Sequence, residues 1–174
     1  MAVLVNHSRT DIVMDTLPVI KLTEWYGTPG RDEVYSYARI CISGGALRLS
    51  MTVFDGEPPA TQQAAALLHL DGGTLKLIFT PDKTVRLSVN DRAFPSPVCL
   101  FGAGSDEQGW YWQATCTVDA SLLQDCGVRL PTVGDSFTGG FFLQDALEEA
   151  FGSAFACPDG SPAKGISTFT VIPY

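Results

Sequence analysis

The chain has 174 residues, of which 45% are hydrophobic and 17% charged, with 17 glycines and 11 prolines. That length suits one domain over residues 1–174, with a core large enough to need no metal or disulfide staple. The apolar content excludes intrinsic disorder. The net charge is −8 and no Lys/Arg cluster occurs, so nucleic acid and anionic membrane surfaces are excluded as expected partners.

Taken in chain order, the first segment, Met1 to Asp15, carries Asn6, His7, Arg9, Asp11 and Asp15 and no apolar run. It does not read as a secretory signal, and a cytoplasmic location is expected; a mature secreted chain is the other reading. No stretch approaches the ~20 apolar residues of a membrane span. Leu17–Glu24 is a weak strand candidate. Ala38, Ile40 and Ile42 share one face and Tyr35, Tyr37, Arg39 and Cys41 the other, which predicts a half-buried strand over Val34–Ile42. Ser43–Gly44–Gly45–Ala46 suits a tight hairpin into Leu47–Phe54, where Leu47, Leu49, Met51 and Val53 alternate with Arg48, Ser50 and Thr52. Asp55–Gly56–Glu57–Pro58–Pro59 ends that strand.

Thr61–Leu70 (TQQAAALLHL) reads as a two-turn helix. Leu75–Thr80 and Thr84–Asn90 read as strands joined at Pro81–Asp82–Lys83. Trp110, Trp112, Ala114, Cys116 and Val118 alternate with Tyr111, Gln113, Thr115 and Thr117. Short helices follow at Asp119–Cys126, stopped by Gly127, and at Asp145–Phe151, and further strands at Thr138–Leu143 and Thr168–Ile172. Short strands with frequent turns predict an all-β fold: an antiparallel β-sandwich, jelly-roll-like, with a few short helices.

The inventory for catalysis is thin. His7 and His69 are the only histidines, and neither has a nucleophile or acid in a triad-like arrangement. No glycine-rich phosphate loop is present. Asp55 with Glu57, or Glu148 with Glu149, would be the carboxylate pairs of a hydrolase or lyase acting on sugars, which is the alternative function. Asp55, Asp71 and Asp135 stand in glycine-containing turns of the kind that hold calcium, but none has EF-hand spacing, so no cofactor and no metal are assigned. Cys41, Cys99, Cys116, Cys126 and Cys157 are odd in number and scattered, so all are expected as free thiols.

Aromatic residues beside polar loops are the stronger signal. Sugars present flat C–H faces and hydroxyl edges, and their sites pair aromatic rings with polar groups. Trp25 and Tyr26 adjoin the Gly27–Thr28–Pro29–Gly30 loop, and Trp110 and Tyr111 open a strand after the polar loop Ser105–Gly109. Trp112 continues an apolar stripe and is expected in the core, whereas Trp110 is expected to reach solvent.

Four stretches together resemble the family 9 carbohydrate-binding modules and their relatives in gut bacteria. They are VYSYARICIS–GGALRLSMTVFDGEPP, LKLIFTPD, GWYWQATCTVDASLLQDCGVRLPTVGDSFTGGFFLQ and AFGSAFACP, spanning roughly residues 34–174. Lys76 stands where the family has a glutamate, and Thr117–Val118–Asp119 lacks the family's proline. The resemblance implies a non-catalytic β-sandwich that binds a saccharide or similar small polar ligand. Combined with the aromatic reading, it makes Trp25, Tyr26, Trp110, Tyr111, Glu57, Arg31 and Gln108 the candidate ligand contacts. A third reading is a protein-interaction β-sandwich, which a large exposed apolar patch would favour.

Overall fold

Alternating apolar and polar side chains build almost every element of the chain. The computed structural model describes residues 2–27, 34–145 and 150–174. In order, the strands are β1 (Val3–Ser8), β2 (Ile20–Lys21), β3 (Glu24–Tyr26), β4 (Ser36–Ser43), β5 (Ala46–Val53), β6 (Gln62–Leu70), β7 (Gly73–Phe79), β8 (Val85–Val89), β9 (Arg92–Phe94), β10 (Val98–Asp106), β11 (Gly109–Asp119), β12 (Ser136–Asp145), β13 (Phe151–Ser153) and β14 (Ser167–Pro173). Among the described residues they are joined by one helix, α1 (Ala120–Asp125), and by 3-10 turns at Met14–Thr16, Pro158–Gly160 and Pro162–Lys164. No helix among them is long and apolar enough to cross a membrane.

The strands form one curled sheet in the order β10-β11-β5-β4-β1-β14-β12-β6-β7-β8-β9, with β2 on β4, β13 on β12 and β3 on β13. The ladders are antiparallel, as expected, except at β1, which runs parallel to both β14 and β4. Parallel pairing needs a long connection rather than a hairpin. β1 has one, because some twenty-seven residues separate it from β4. The curl brings two halves of the sheet face to face. Leu47, Leu49, Met51 and Val53 of β5 and Trp112, Ala114, Cys116 and Val118 of β11 meet Ala64, Ala66 and Leu68 of β6, Leu77 and Phe79 of β7 and Phe141 of β12 in one buried cluster. The result is sandwich-like, as the alternation predicts.

One helix expectation needs revision, and a second falls largely outside the described residues. Residues Gln62–Leu70 form the central strand β6, paired with β12 on one side and β7 on the other. The Gln and Ala residues favour a helix, but a strand flanked by two partners gains ladder bonds on both edges, and tertiary context overrides the propensity. The alternation Gln62, Ala64, Ala66, Leu68, Leu70, all buried, was the legible signal of a strand. In the second case, Asp145 ends β12 and Phe151 starts β13, while 146–149 lie outside the described residues. By contrast α1 falls within Asp119–Cys126, although the Asp119 side chain makes no capping bond. The β4–β5 hairpin turns at Gly44 and Gly45, with φ of 60° and 77°, a left-handed pair that glycine adopts without strain.

Of the tryptophans at the start of β11, Trp112 is 7% exposed and Trp110 is 69% exposed. The buried indole is tied across the core. Trp112 Nε1 donates to Gln62 Oε1 at 2.9 Å, and Gln62 Nε2 donates to Asp55 Oδ2 at 2.9 Å. This chain joins β11 to β6 and to the loop that follows β5. Trp112→Ala is expected to lower unfolding free energy by about 3–5 kcal/mol, as large core deletions do. Gln62→Ala should cost about 1–3 kcal/mol, since it strands a buried N–H donor. Urea unfolding followed by circular dichroism measures both, and a Trp112→Ala loss below that of Gln62→Ala would contradict this account.

Candidate functional site

β4, β5 and β11 turn their apolar residues inward, so the register alone decides what lies on the outer face. Tyr37 pairs with Thr52, Thr52 with Gln113 and Gln113 with Gly102, which makes one row across β4, β5, β11 and β10. Arg39, Ser50, Thr115 and Leu100 form the next row. On the other side of the first row, the Phe54 N–H donates to Tyr35 O at 2.9 Å, and the Phe54 ring meets Tyr111 at 5.3 Å between centroids. Tyr111 in turn pairs with Gly104.

Four rings therefore gather at one end of this face. Phe54 lies 5.2 Å from Tyr35 and 6.2 Å from Tyr37, and Tyr35 lies 6.0 Å from Tyr37, all at tilted or edge-on angles. Cations border them: the Arg39 guanidinium stands 4.9 Å over the Tyr37 ring and the Lys21 ammonium 5.8 Å over Tyr35. The floor beside the rings is made of amide and hydroxyl groups. Gln113 Nε2 donates to Thr52 Oγ1 at 2.9 Å. Ser50, 1% exposed, has a buried Oγ with no hydrogen-bond partner among the described residues. The Tyr111 ring lies close over Gly104, where a Cβ would stand 2.8 Å from the Tyr111 Oη; at Gly102 a Cβ would meet nothing, so the face is open beside Gln113.

The opposite half of the face is closed by the segment before β2. Ile12, Met14 and Leu17 pack over Cys41. Arg39 Nε donates to Leu17 O at 3.3 Å and its Nη1 to Asp15 Oδ1 at 3.3 Å, while Arg48 Nη1 donates to Ile12 O at 3.1 Å. The strap thus stops at Arg39, and among the described residues the four rings beyond it are half-buried.

The residues singled out from sequence separate into two groups. Tyr111 belongs to the aromatic cluster itself. Trp110 stands on the opposite side of β11, exposed, with its Cβ side against Gly56, where an added Cβ would lie 3.1 Å from Trp110 Cβ. Glu57, in the same loop as Gly56, is exposed, and its N–H donates to Asp55 Oδ1 at 3.1 Å. Gln108 is exposed at the β10–β11 hairpin tip, its N–H donating to Asp106 Oδ1 at 2.7 Å. These four occupy β11 and its neighbouring loops.

Trp25 and Tyr26 lie elsewhere, on β3 against β13. Trp25 is not free of regular structure, as its place beside a Gly/Pro loop suggested. Its ring covers Gly152, where a Cβ would come within 2.6 Å of it, and it packs against the main core. Tyr26 stacks on Phe151 at 4.9 Å and 19°, and its Oη accepts the Cys157 N–H at 2.7 Å. With Gln144, Ala150, Gly160 and Pro162 it lines a cleft of about 550 Å³. Arg31, Glu148 and Glu149 lie outside the described residues. Tyr35, Tyr37 and Phe54, not singled out from sequence, join Tyr111 in the aromatic cluster. Their signal was present in the Tyr35–Tyr37–Arg39 alternation, but only the register of β5 shows that Phe54 joins them.

The aspartates of the glycine turns are already engaged. Arg129 Nε donates to Asp71 Oδ2 at 3.0 Å and its Nη1 to Asp135 Oδ2 at 3.0 Å, so a guanidinium stands between the two carboxylates. The Thr132 N–H and Oγ1–H also donate to Asp135 Oδ2, at 2.9 and 3.0 Å. The Thr132 backbone bond first, and Arg129 second, hold the Asp135 carboxyl below its ordinary range. A carboxyl depressed in the folded state stabilises the fold above its unfolded pKa, and that stabilisation disappears as pH falls through the folded value. Asp135→Asn should therefore lower the thermal midpoint at neutral pH, with the gap closing in acid below the usual aspartate range. Thermal melts from pH 7 down to about pH 3 check this. A gap that stays constant would show that the carboxylate charge is not what matters.

No family model matches the sequence, and no curated protein matches it. The fold does have solved counterparts. A family 9 carbohydrate-binding module from Caldicellulosiruptor kristjanssonii, solved with cellotriose, superimposes with a TM-score of 0.62 at 9% identity, over 100% of this chain and 95% of that one. The structure with glucose gives 0.63 at 8% identity, over 100% and 97%. A protein from Bacteroides uniformis whose name proposes carbohydrate binding gives 0.69 at 12% identity, over 98% of each chain. The chain has the all-β fold of the family 9 carbohydrate-binding modules.

Proposed function

We propose that the chain is a non-catalytic carbohydrate-binding module whose saccharide lies on the open outer face around Tyr37, Phe54 and Tyr111. The observation that carries this reading is the row Tyr37–Thr52–Gln113–Gly102, with a cluster of rings on one side and open space over Gly102 at the other end. The C–H face of a pyranose packs on aromatic carbon, while its hydroxyls exchange hydrogen bonds with polar groups such as Gln113 and Thr115; Thr52, buried beneath, orients the Gln113 amide. Arg39, propped against Tyr37, supplies a directional donor. Trp110, on the opposite side of β11 beside the loop of Glu57, lies outside this site. The likeness in fold to modules solved with cellotriose and glucose makes those two sugars the first ligands to try. Binding without turnover is favoured because Asp55 is committed: one oxygen accepts the Glu57 N–H and the other Gln62 Nε2.

Calorimetric titration with glucose, cellotriose and a wider oligosaccharide panel tests the proposal. Tyr37→Ala and Tyr111→Ala should each weaken binding at least tenfold, a loss of about 1.4 kcal/mol or more. Gln113→Ala should weaken it too, whereas Trp110→Ala, on the opposite side of β11, should leave affinity and thermal midpoint unchanged. Tyr26→Ala should leave affinity intact. Absence of heat with every saccharide would overturn the function. A loss confined to Tyr26→Ala would move the site to the cleft between β3 and β13.

A further inference from the structure

The five cysteines are free thiols in the structure. Two of them, far apart in sequence, are nevertheless neighbours. The antiparallel register of β10 on β11 sets Cys99 directly opposite Cys116. Both point inward, since Cys99 shares its face with Phe101 and Ala103, and Cys116 shares its face with Ala114 and Trp112. Cys116 is fully buried, and Cys99 is half-buried on the outermost strand.

Directly opposed residues in an antiparallel ladder have Cα atoms about 4.5–5.5 Å apart. A disulfide spans Cα separations of about 4.4–6.8 Å, so the backbone already meets its requirement. The Cβ atoms of opposed residues, about 4.5–5.5 Å apart, must close to about 3.8 Å. β10 can supply that small movement because it is the last strand of the sheet, held by β11 alone.

We propose that Cys99 and Cys116 form a redox pair, closing to a disulfide across the β10–β11 ladder by exchange with a small-molecule disulfide such as oxidised glutathione. Cys99 is the entry point, being the more exposed of the two. The Cys116 thiol beside it holds the Cys99 thiol below its ordinary pKa, while that same partnership and burial push Cys116 up. The Cys99 thiolate attacks one sulfur of the glutathione disulfide. A new S–S bond forms, the old one breaks, and one glutathione leaves as a thiolate that takes up a proton. Cys116 then gives up its proton and attacks the Cys99 sulfur, expelling the second glutathione. Two protein thiols are oxidised, one glutathione disulfide is reduced to two thiols, and the two hydrogens end on glutathione. The first step removes the charge on Cys99 that opposed ionisation of Cys116, so the second follows more readily.

The crosslink would staple the hairpin that carries Gln108, Trp110 and Tyr111, along with the open edge at Leu100 and Gly102. The other thiols are placed differently. Cys41 faces Met14 Sδ at 3.5 Å, Cys157 faces Phe155 O at 3.5 Å, and Cys126 follows α1.

The test uses the full chain incubated with oxidised glutathione, then intact mass, thiol titration in denaturant and peptide mapping. The expected product has lost two hydrogens, keeps three titratable thiols of the five and carries a single link between residues 99 and 116. Its thermal midpoint should rise by several degrees and fall back with dithiothreitol. Cys116→Ala should stop at a glutathione adduct on Cys99, and Cys99→Ala should form neither adduct nor link. Because alanine at a buried position can disturb the fold, Cys116→Ser is run beside it and should give the same adduct. Five titratable thiols after oxidation, a link between another pair, or an adduct mapped to Cys116 would each overturn the proposal.

Discussion

Side-chain alternation along β4, β5 and β11 is the constraint on which the core and the candidate site both rest. A slip of one residue between β5 and β11 would turn Leu49 and Met51 to solvent and drive Ser50 and Thr52 into the core. Each uncompensated hydroxyl would cost about 1–3 kcal/mol, and each lost apolar side chain about 1.5–3 kcal/mol. Such a sum rivals the whole stability of a domain, about 5–15 kcal/mol, so the register cannot drift. The outer rows inherit that rigidity. Tyr37, Thr52 and Gln113 stand in line because their inward neighbours have no alternative.

Both ends of these strands are held independently. The Gly44–Gly45 turn closes the β4–β5 hairpin at one end. At the other, the bond from Trp112 to Gln62 and on to Asp55 ties the end of β5 to the opposite half of the sheet. The strap at Ile12–Leu17 adds a third restraint from outside, with Arg39 and Arg48 bonded to its carbonyls. Arg39 therefore does two things at once: it fastens the strap and props against the Tyr37 ring. A surface arginine fixed at both points loses less freedom on meeting a ligand than one free in water.

How much of this was legible in the sequence depended on whether one strand sufficed to see it. The strands, the Gly44–Gly45 hairpin and the contrast between Trp110 and Trp112 follow from alternation within single segments. The misreading of Gln62–Leu70 arose because its composition is helix-favouring, and its two strand partners are distant in sequence. The packing of the Trp25 ring over Gly152 was hidden for a similar reason, because the two lie more than a hundred residues apart. Tyr35 and Tyr37 were visible as a pair on one face, yet nothing local joins them to Phe54 and Tyr111. The opposition of Cys99 and Cys116 likewise requires the register of β10 on β11 and has no trace in spacing. What escaped was long-range pairing, which a single chain segment does not encode.

The likeness in fold at 8–12% identity has a physical cause in the same alternation. Inward positions are constrained by volume and apolarity, which many residues satisfy. Outward positions are constrained by nothing in the fold, so they are free to carry whatever a ligand demands. A shared sandwich therefore transmits the surface on which a site can be built and leaves its chemistry to each chain. In this one the outer face of β4, β5, β11 and β10 holds a buried Ser50 hydroxyl without a partner among the described residues, glycines on the edge strand and four clustered rings, none of which the core requires. Features that cost stability, or contribute none, and yet gather on one open face are where a function imposed from outside the fold is to be sought.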